Sequence, residues 1–240
     1  MLVFTGCGSS QSHRGTSHAA VEGPFGKGRQ AVYVMRPDRQ IRAVVVVGHG
    51  WGEYSPTNWR PWFEHLAAQG YAAIYPRYQL TANISTEVGL AVADGWRQGL
   101  VTGFEKLGAG DVPVVALGYS FGGGLVFYYA GYARRWHLPV PAAVQSMFPT
   151  GPIAGVPPER PDDLRVLIQV GDRDMVVGAT GAKVWREWAG GRYEVVRSTP
   201  AFVADHFAPL GTGANARRIF WRPLDRTLSL LTSGSSHPTG

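Results

Sequence analysis

Short apolar runs alternate along this chain with segments of helical periodicity. The run 43–48 (AVVVVG) is apolar throughout, as expected of a strand that is covered on both faces. Segment 58–69 instead carries aromatic residues and a leucine at spacings of three and four, which is typical of a helix with one buried face. The alternation predicts an α/β protein with a mostly parallel sheet and helices on both faces. The predicted strands are 31–35, 43–48, 71–76, 112–118, 142–147, 165–171 and 193–199, and the predicted helices are 58–69, 86–107, 121–136, 179–189 and 213–231.

The two ends of the chain differ in composition from the middle. Residues 8–29 and 233–240 are rich in Gly, Ser and His and show no apolar periodicity, which is typical of flexible segments. We therefore predict one folded domain over residues 30–232, preceded by a signal remnant and tether at 1–29 and followed by a flexible tail at 233–240. The connection 148–164 is short and rich in proline, so we expect no large cap domain.

The composition excludes several classes of protein. Of the 240 residues, 45 % are apolar and 17 % charged, values that rule out disorder over the bulk of the chain. The single cysteine, Cys7, excludes an internal disulfide and a Cys-rich zinc or iron–sulfur site. The formal charge is +6, but the arginines are scattered rather than gathered in a stripe, so we expect no nucleic-acid partner.

Residues 118–122 (GYSFG) match the pattern G-x-S-x-G. They follow the apolar strand 112–118 and precede the helix 121–136, which is the strand–turn–helix setting that a nucleophile elbow requires. At so tight a turn, side chains at the two glycines would clash with the neighbouring strand and helix. Ser120 is therefore the candidate nucleophile, with its hydroxyl exposed at the carboxyl end of a strand, where α/β proteins place their active groups.

A serine nucleophile needs a base, and the base needs an orienting carboxylate. Among the histidines outside the flexible ends, only His206 follows the last predicted strand. Strand 142–147 is followed by no acidic residue before Glu159, so it cannot supply the carboxylate. The next strand leads into Asp172 and Asp174, which leaves these two as candidates.

Together these motifs resemble the α/β-hydrolases, and the resemblance covers about residues 30–232. The chain order of nucleophile, acid and histidine in that fold matches Ser120, Asp174 and His206. In the acid turn of the family, Gly-x-x-Asp followed by apolar residues, the matching carboxylate is Asp174. Asp172 is the alternative, and its other role would be to organise the turn.

Residues 48–52 (GHGWG) follow an early strand and resemble the oxyanion loop of the same family. The resemblance implies that the backbone N–H groups of Trp51 and Phe121 hold the developing oxyanion. We expect His49 to shape this loop through hydrogen bonds to backbone rather than to act in catalysis. A closer resemblance, to a group of uncharacterised, chiefly actinobacterial α/β-hydrolases, rests on 49–54 (HGWGEY), 65–67 (HLA) and 74–79 (IYPRYQ). The substrates of that group are not established.

The resemblance implies a serine hydrolase that cleaves small-molecule carboxylic esters through an acyl-enzyme intermediate. We expect small to medium acyl groups, and we expect no metal or cofactor, because no H-E-x-x-H, dinucleotide or P-loop pattern is present. The alternatives are another acyl-transfer enzyme of the same fold (thioesterase, peptidase or acyltransferase) and a catalytically silent envelope protein. The residues expected to line the substrate pocket are Tyr54, Tyr119, Met147, Phe148 and Phe207.

The first seven residues, MLVFTGC, resemble the end of a bacterial lipoprotein signal, in which the cysteine becomes the acylated first residue. The resemblance implies that Cys7 is a lipidation site and that the protein is attached to the bacterial cell envelope or secreted. The alternative is a cytoplasmic protein with an incidental cysteine. One acyl chain anchors a protein only marginally, so stable attachment would need more than one.

Overall fold

The computed structural model describes residues 20–81, 89–157 and 159–233. The strands in this part of the chain are β1 (Ala20–Phe25), β2 (Val32–Arg36), β3 (Ala43–Gly48), β4 (Tyr71–Pro76), β5 (Val114–Tyr119), β6 (Ala143–Met147), β7 (Arg165–Gly171) and β8 (Arg192–Val196). The helices are α1 (Arg60–Ala68), α2 (Gly89–Leu107), α3 (Phe121–Tyr132), α4 (Thr180–Ala189), α5 (Ala214–Ala216) and α6 (Arg222–Ser233). A π-helical turn, Arg217–Trp221, joins α5 to α6.

The strands form one sheet in the order β1-β2-β4-β3-β5-β6-β7-β8. β2 pairs antiparallel with β1 and with β4, and every other pairing in the sheet is parallel. The register aligns Gly48 with Gly118 and Tyr119 with Met147, so β3, β5 and β6 end at one edge of the sheet. The predicted mostly parallel α/β architecture is confirmed, and it brings the loops after these strands together.

Two apolar layers cover the sheet, which explains why β3 is apolar throughout. Val44 and Val46 belong to the core cluster that also contains residues of α2, α3 and α4. Val45 and Val47 belong to the cluster on the other face, which contains residues of α1 and α6. Because successive side chains of a strand point to opposite faces, a strand between two helical layers needs apolar residues at every position.

The C-terminal helix is broken at the π-helical turn, where the sequence predicts one continuous helix over 213–231. Gln145 on β6 donates from Nε2 to the carbonyl of Phe220 at 2.8 Å, and Gln169 on β7 donates from Nε2 to that of Ile219 at 3.0 Å. A π turn is wider than an α turn and is rare in helices. Here the carbonyls of that turn accept hydrogen bonds from two buried amide side chains of the sheet.

The prediction that residues up to Arg29 form a tether is wrong for Ala20–Phe25, which form strand β1. Its backbone pairs with β2 from Ala20 opposite Arg36 to Phe25 opposite Val32. None of its six residues is fully buried, and Gly23 and Pro24 interrupt it. An edge strand held by backbone pairing needs little apolar patterning, and therefore the sequence carries no strand signal here.

Several predictions concern residues outside the described ranges. Cys7 and the rest of 1–19 lie outside them, as do residues 82–88, in which the predicted helix 86–107 begins, and the tail 234–240. The acylation of Cys7, and the envelope or secreted location that depends on it, stay predictions. Within the described ranges, no helix combines the length and apolar character needed to span a bilayer. The connection 148–164, apart from Pro158, contains no helix or strand.

Candidate active site

Ser120 occupies a strained turn between β5 and α3. Its backbone has φ 56° and ψ −119°, a conformation that non-glycine residues rarely adopt. Its N–H donates to the carbonyl of Met147 at 2.9 Å, and its carbonyl accepts from the N–H of Thr150 at 3.0 Å. These hydrogen bonds to the loop after β6 hold the strained backbone in place.

The turn is possible because glycine backbones touch at its base. A Cβ on Gly122 would lie 2.1 Å from the carbonyl carbon of Gly48, and a Cβ on Gly118 would lie 2.5 Å from the Gly122 oxygen. Both distances are shorter than real Cβ contacts allow. The N–H of Gly122 also donates to the carbonyl of His49 at 2.9 Å. The start of α3 is thus packed directly on the loop that follows β3.

His206 joins Ser120 to Asp174. Its Nε2 lies 2.9 Å from Ser120 Oγ, and its Nδ1 lies 2.9 Å from Asp174 Oδ2. All three residues are buried. The structure therefore brings together the three residues predicted as nucleophile, base and carboxylate, which come from the loops after β5, β7 and β8. We call this set the Ser120–His206–Asp174 row.

The second oxygen of Asp174 fixes the orientation of the carboxylate. Oδ1 accepts the N–H groups of Val176 at 2.9 Å and Val177 at 3.1 Å. With Oδ1 held by its own turn, Oδ2 is directed at the Nδ1–H of His206. A donor at Nδ1 leaves Nε2 as the acceptor in a neutral imidazole, and this tautomer can take a proton from Ser120.

Asp172, the alternative acid, is turned away from His206 and organises the neighbouring loop. Its oxygens accept hydrogen bonds from the Ser198 hydroxyl at 2.6 Å and the Ser198 N–H at 3.0 Å. These bonds, the hydroxyl first, hold the pKa of Asp172 below its ordinary value. The Ser198 hydroxyl in turn accepts the N–H of Ala204 at 3.0 Å, two residues before His206. Asp172 therefore organises the turn, which was the second role considered for it in the sequence analysis.

Backbone contacts also join the turn that carries Asp174 to the loop that carries His206. The N–H of Arg173 donates to the carbonyl of Ala204 at 3.2 Å. A Cβ on Gly171 would lie 2.1 Å from the same oxygen, so only glycine permits this approach. The position of His206 thus depends on several contacts between the two loops besides its own hydrogen bond to Asp174.

His49 has the loop-shaping environment that we predicted. Its Nδ1 lies 2.7 Å from the carbonyl oxygen of Gly50 and its Nε2 lies 2.9 Å from that of Arg77. The ring is stacked between Tyr75 and Tyr78, with centroid distances of 4.9 and 4.0 Å. Burial lowers the pKa of His49 to about 4, although the carbonyl contacts oppose the shift. The imidazole is therefore neutral at pH 7.

The two residues predicted as oxyanion donors, Trp51 and Phe121, lie next to each other. Their rings meet edge to face with centroids 4.8 Å apart. Phe121 is the first residue of α3, and the first N–H groups of a helix have no partner inside the helix. The positive end of the helix dipole lies at the same point, so an anion formed beside Ser120 would be stabilised there.

Sequence reasoning missed two side chains that accept hydrogen bonds from the loop after β3. Glu53 accepts the N–H of Gly50 at 3.0 Å through Oε2, and Gln79 accepts the N–H of Gly52 at 3.0 Å through Oε1. Both residues lie inside the stretches 49–54 and 74–79, which the sequence analysis used only for a resemblance. The contact of Glu53 is local, within the loop itself, and could have been sought in the sequence, whereas Gln79 reaches Gly52 only because the fold brings the loop after β4 to it.

The predicted pocket residues divide into two groups. Tyr119, Phe148 and Phe207 surround the His206 ring, with centroids 5.2, 6.5 and 5.7 Å away. The second group is Tyr54, whose ring is covered by the Arg77 guanidinium at 5.0 Å from the centroid.

Three of the five pocket predictions need correction, because Met147 and Phe148 are fully buried and Tyr119 is only 2 % exposed. These side chains offer almost no surface to a substrate in this structure. All three pack in the core cluster under α1 and α6, so their contribution is to support the residues around the ring of His206.

Four exposed apolar side chains stand on the two loops that carry Asp174 and His206. Met175 is 92 % exposed and Phe207 is 66 % exposed, and Val176 and Val203 are also exposed. Exposed apolar residues in a contiguous group commonly mark a binding surface. We call these four residues the apolar rim.

No protein-family model matches this chain, and no curated protein sequence matches it. Solved structures do match. Esterase B from Lactobacillus rhamnosis superimposes with a TM-score of 0.67 and 14 % identity, over 94 % of this chain and 90 % of that chain. A thermophilic esterase from Thermogutta terrifontis gives a TM-score of 0.64 and 18 % identity, over 94 % and 98 %. An α/β-hydrolase enzyme from a Medee basin deep-sea metagenome library gives 0.61 and 15 %, over 85 % and 93 %.

The chain has the α/β-hydrolase fold. At these identities the likeness concerns the fold alone. In an α/β-hydrolase fold, the loops after the strands that end at one edge of the sheet carry the reactive groups, and the Ser120–His206–Asp174 row lies at that edge here.

Proposed function

We propose that this chain is a serine hydrolase that cleaves carboxylic esters. The observation that carries the proposal is the continuous hydrogen-bonded Ser120–His206–Asp174 row. Ser120 is the nucleophile, His206 the general base and acid, and Asp174 the group that orients the imidazole.

In the acylation step, Ser120 Oγ attacks the ester carbonyl carbon while its proton passes to Nε2 of His206. Asp174 stabilises the imidazolium that forms. The carbonyl oxygen becomes an oxyanion, held by the N–H groups of Trp51 and Phe121. When the tetrahedral intermediate collapses, the bond to the alcohol oxygen breaks and that oxygen takes the proton from Nε2. The alcohol leaves, and the acyl group stays on Ser120 as an ester.

In the deacylation step, a water molecule takes the place of the alcohol. His206 accepts one proton of the water as its oxygen attacks the acyl carbonyl carbon. The same two N–H groups hold the second oxyanion. Collapse breaks the bond to Ser120 Oγ, which recovers its proton from His206, and the carboxylic acid is released.

The apolar rim is the observation that favours ester substrates with apolar acyl or alkyl groups. A rim of Met, Val and Phe side chains gains free energy by covering alkyl surface, about 0.8 kcal/mol for each methylene removed from water. We expect kcat/KM on p-nitrophenyl esters to rise by up to about fourfold for each added methylene until the chain outgrows the rim. A charged acyl group should be a poor substrate.

Labelling with a fluorophosphonate probe tests the proposed nucleophile. We expect the probe to form a covalent adduct on Ser120, and Ser120→Ala to lose both the adduct and the hydrolysis of p-nitrophenyl butyrate. Ser229→Ala is the matched control, since Ser229 is exposed on α6, far along the chain from the row. Full activity of Ser120→Ala would refute the assignment. Failure of the unaltered protein to label would instead favour the catalytically silent alternative.

We also propose that Cys7 carries acyl chains that attach the enzyme to the bacterial envelope. The support is the sequence MLVFTGC alone. Mass spectrometry of the N-terminal peptide from a native host should find a chain that begins at acylated Cys7. An unmodified Cys7 in a chain that still begins at Met1 would contradict the proposal.

A further inference from the structure

A cavity in the described part of the chain lies away from the candidate active site. It has a volume of about 630 Å³ and lies between the sheet and the C-terminal segment formed by the π-helical turn and α6. Its sheet side includes Ala143, Arg165 and Arg192, which are the first residues of β6, β7 and β8. Ser120 follows the opposite end of its strand, and no member of the Ser120–His206–Asp174 row lines the cavity. We call this cavity the α6 groove.

The rim of the α6 groove is strongly basic. Its lining contains one carboxylate, Glu194, and five guanidinium groups, which belong to Arg165, Arg192, Arg197, Arg218 and Arg226. Glu194 already forms an ion pair with Arg192 and accepts Gln169 Nε2 at 3.2 Å. Among the described residues, no carboxylate lies within ion-pair distance of the other four arginines. Several like charges around one concavity attract an anion into it.

The floor of the α6 groove is apolar. Leu167 on β7 and Val196 on β8 face the same side as Leu224 on α6. Leu230, one of the more exposed apolar residues of the chain, stands at the end of the groove on the last turns of α6. The volume falls within the range of small-molecule pockets, about 300–1,000 Å³. Val196 and Leu224 are buried, so an alkyl chain in the groove would cover the exposed side chain of Leu230 and the half-buried side chains of Leu167 and Ile219.

We propose that the α6 groove binds a single-chain amphiphile with an anionic head group. The carboxylate or sulfate of the ligand lies among the arginines, whose planar guanidinium groups match such oxygens in bidentate geometry. The alkyl chain lies on the apolar floor, and each buried methylene contributes about fourfold in affinity. The site is separate from the one proposed for ester hydrolysis and does not depend on it.

Isothermal titration calorimetry with laurate below its micelle concentration tests the proposal on the full-length protein. We expect one site per chain, with an affinity that falls as salt is raised. Butyrate has the head group without the long chain, and dodecyl maltoside has the chain without the charge. Each should bind at least about tenfold more weakly than laurate.

Arg226→Gln and Arg222→Gln provide a matched pair on one helix. Both arginines are exposed on α6, one turn apart, but only Arg226 lines the groove. We expect Arg226→Gln to weaken laurate binding by about tenfold, because a hydrogen-bonded charge pair is lost. Arg222→Gln should change it by less than about twofold. Both variants should keep the melting temperature of the parent, since neither side chain is buried.

Three results would overturn the proposal. Laurate affinity that is equal in the two variants would place the ligand elsewhere, for example at the apolar rim. Binding to phosphatidylglycerol vesicles without any binding of dissolved laurate would show that the arginines meet a bilayer surface rather than a ligand in the groove. A stable dimer in sedimentation velocity that excludes laurate, and that Arg226→Gln dissociates, would show that a second copy occupies the groove.

Discussion

The two halves of the candidate active site are held together by different kinds of contact. On one side, the loop after β3 meets the start of α3 through bare backbone, with Gly48 against Gly122. On the other side, the turn that carries Asp174 and the loop that carries His206 are joined by side-chain hydrogen bonds, which Ser198 donates to Asp172 and His206 donates to Asp174. We call them the glycine side and the hydrogen-bonded side. The glycine side places backbone N–H groups next to Ser120, whereas the hydrogen-bonded side carries the side chains that can move a proton.

Each side contains one buried histidine, and the two histidines show what the difference means. The nitrogens of His49 face two backbone carbonyl oxygens, so this ring has no reactive group as a partner. The nitrogens of His206 face a carboxylate and a hydroxyl. Burial alone therefore does not distinguish a catalytic histidine from a structural one. The partners of the two nitrogens do.

Substituting the two histidines one at a time should give the largest difference in kcat between the two sides. We expect His206→Ala to lower kcat on p-nitrophenyl butyrate by about 10⁴-fold or more, because Ser120 loses its base. His49→Gln should lower kcat by less than about tenfold, since it removes no group that handles the proton. Initial rates at equal concentrations of folded protein, checked by near-ultraviolet circular dichroism, would measure both. A loss from His49→Gln as large as that from His206→Ala would break the comparison.

The hydrogen-bonded side offers a second test within one turn. Asp174→Asn should lower kcat by about 10³- to 10⁴-fold, because an amide can donate to His206 and stabilise the wrong tautomer. Asp172→Asn should cost less than about tenfold, since an amide oxygen can still accept from Ser198. The kcat values should be compared at equal folded fractions, checked by near-ultraviolet circular dichroism. Equal losses would mean that Asp172 and Asp174 act as one unit.

A substitution on the glycine side should lower the free energy of unfolding and not only the activity. We expect Gly122→Ala to lower the free energy of unfolding by about 3 kcal/mol, because its Cβ would have to displace the backbone at Gly48. Gly213→Ala is the control, since a Cβ there meets nothing within 4 Å, and it should change stability by less than about 0.5 kcal/mol. Urea denaturation measures both. A neutral Gly122→Ala would show that this side is not close-packed.

The glycine side should also show a pH dependence of stability that comes from His49. Its pKa is lowered from 6.5 to about 4 in the folded protein, so the unfolded chain takes up the proton first as pH falls. The contribution of the neutral ring is fully present above pH 6.5 and is lost progressively between pH 6.5 and 4, about 3 kcal/mol in all.

His49→Gln isolates this contribution, because glutamine does not titrate. The free energy of unfolding of the parent should approach that of the variant as pH falls from 7 to 4, measured by urea denaturation at each pH. The carboxylates titrate in both proteins, so only the difference between the two curves is informative. Parallel curves over this range would contradict a neutral buried His49.

The sequence by itself determined the strands of the sheet other than β1 and the position of the elbow. β3, β4 and β7 have the predicted bounds, because a strand buried on both faces must be apolar at every position and therefore stands out locally. The elbow around Ser120 stands out for a similar reason, since backbone in contact with backbone leaves glycine as the only choice at Gly118 and Gly122. These constraints restrict residues that lie close together in the chain, and therefore a linear pattern can record them.

Only the tertiary structure decided how distant residues meet. It separated Asp174 from Asp172, which the spacing alone left open, by turning one carboxylate to His206 and the other to Ser198. It also showed that β1 joins the sheet and that Met147 is core rather than pocket. The support of the loop after β3 by Gln79 joins residues 27 apart in sequence, and the arginines of the α6 groove come from β7, β8 and the C-terminal segment. The periodicity of the sequence does not predict such contacts, because each of them depends on the packing of the whole sheet and its helices.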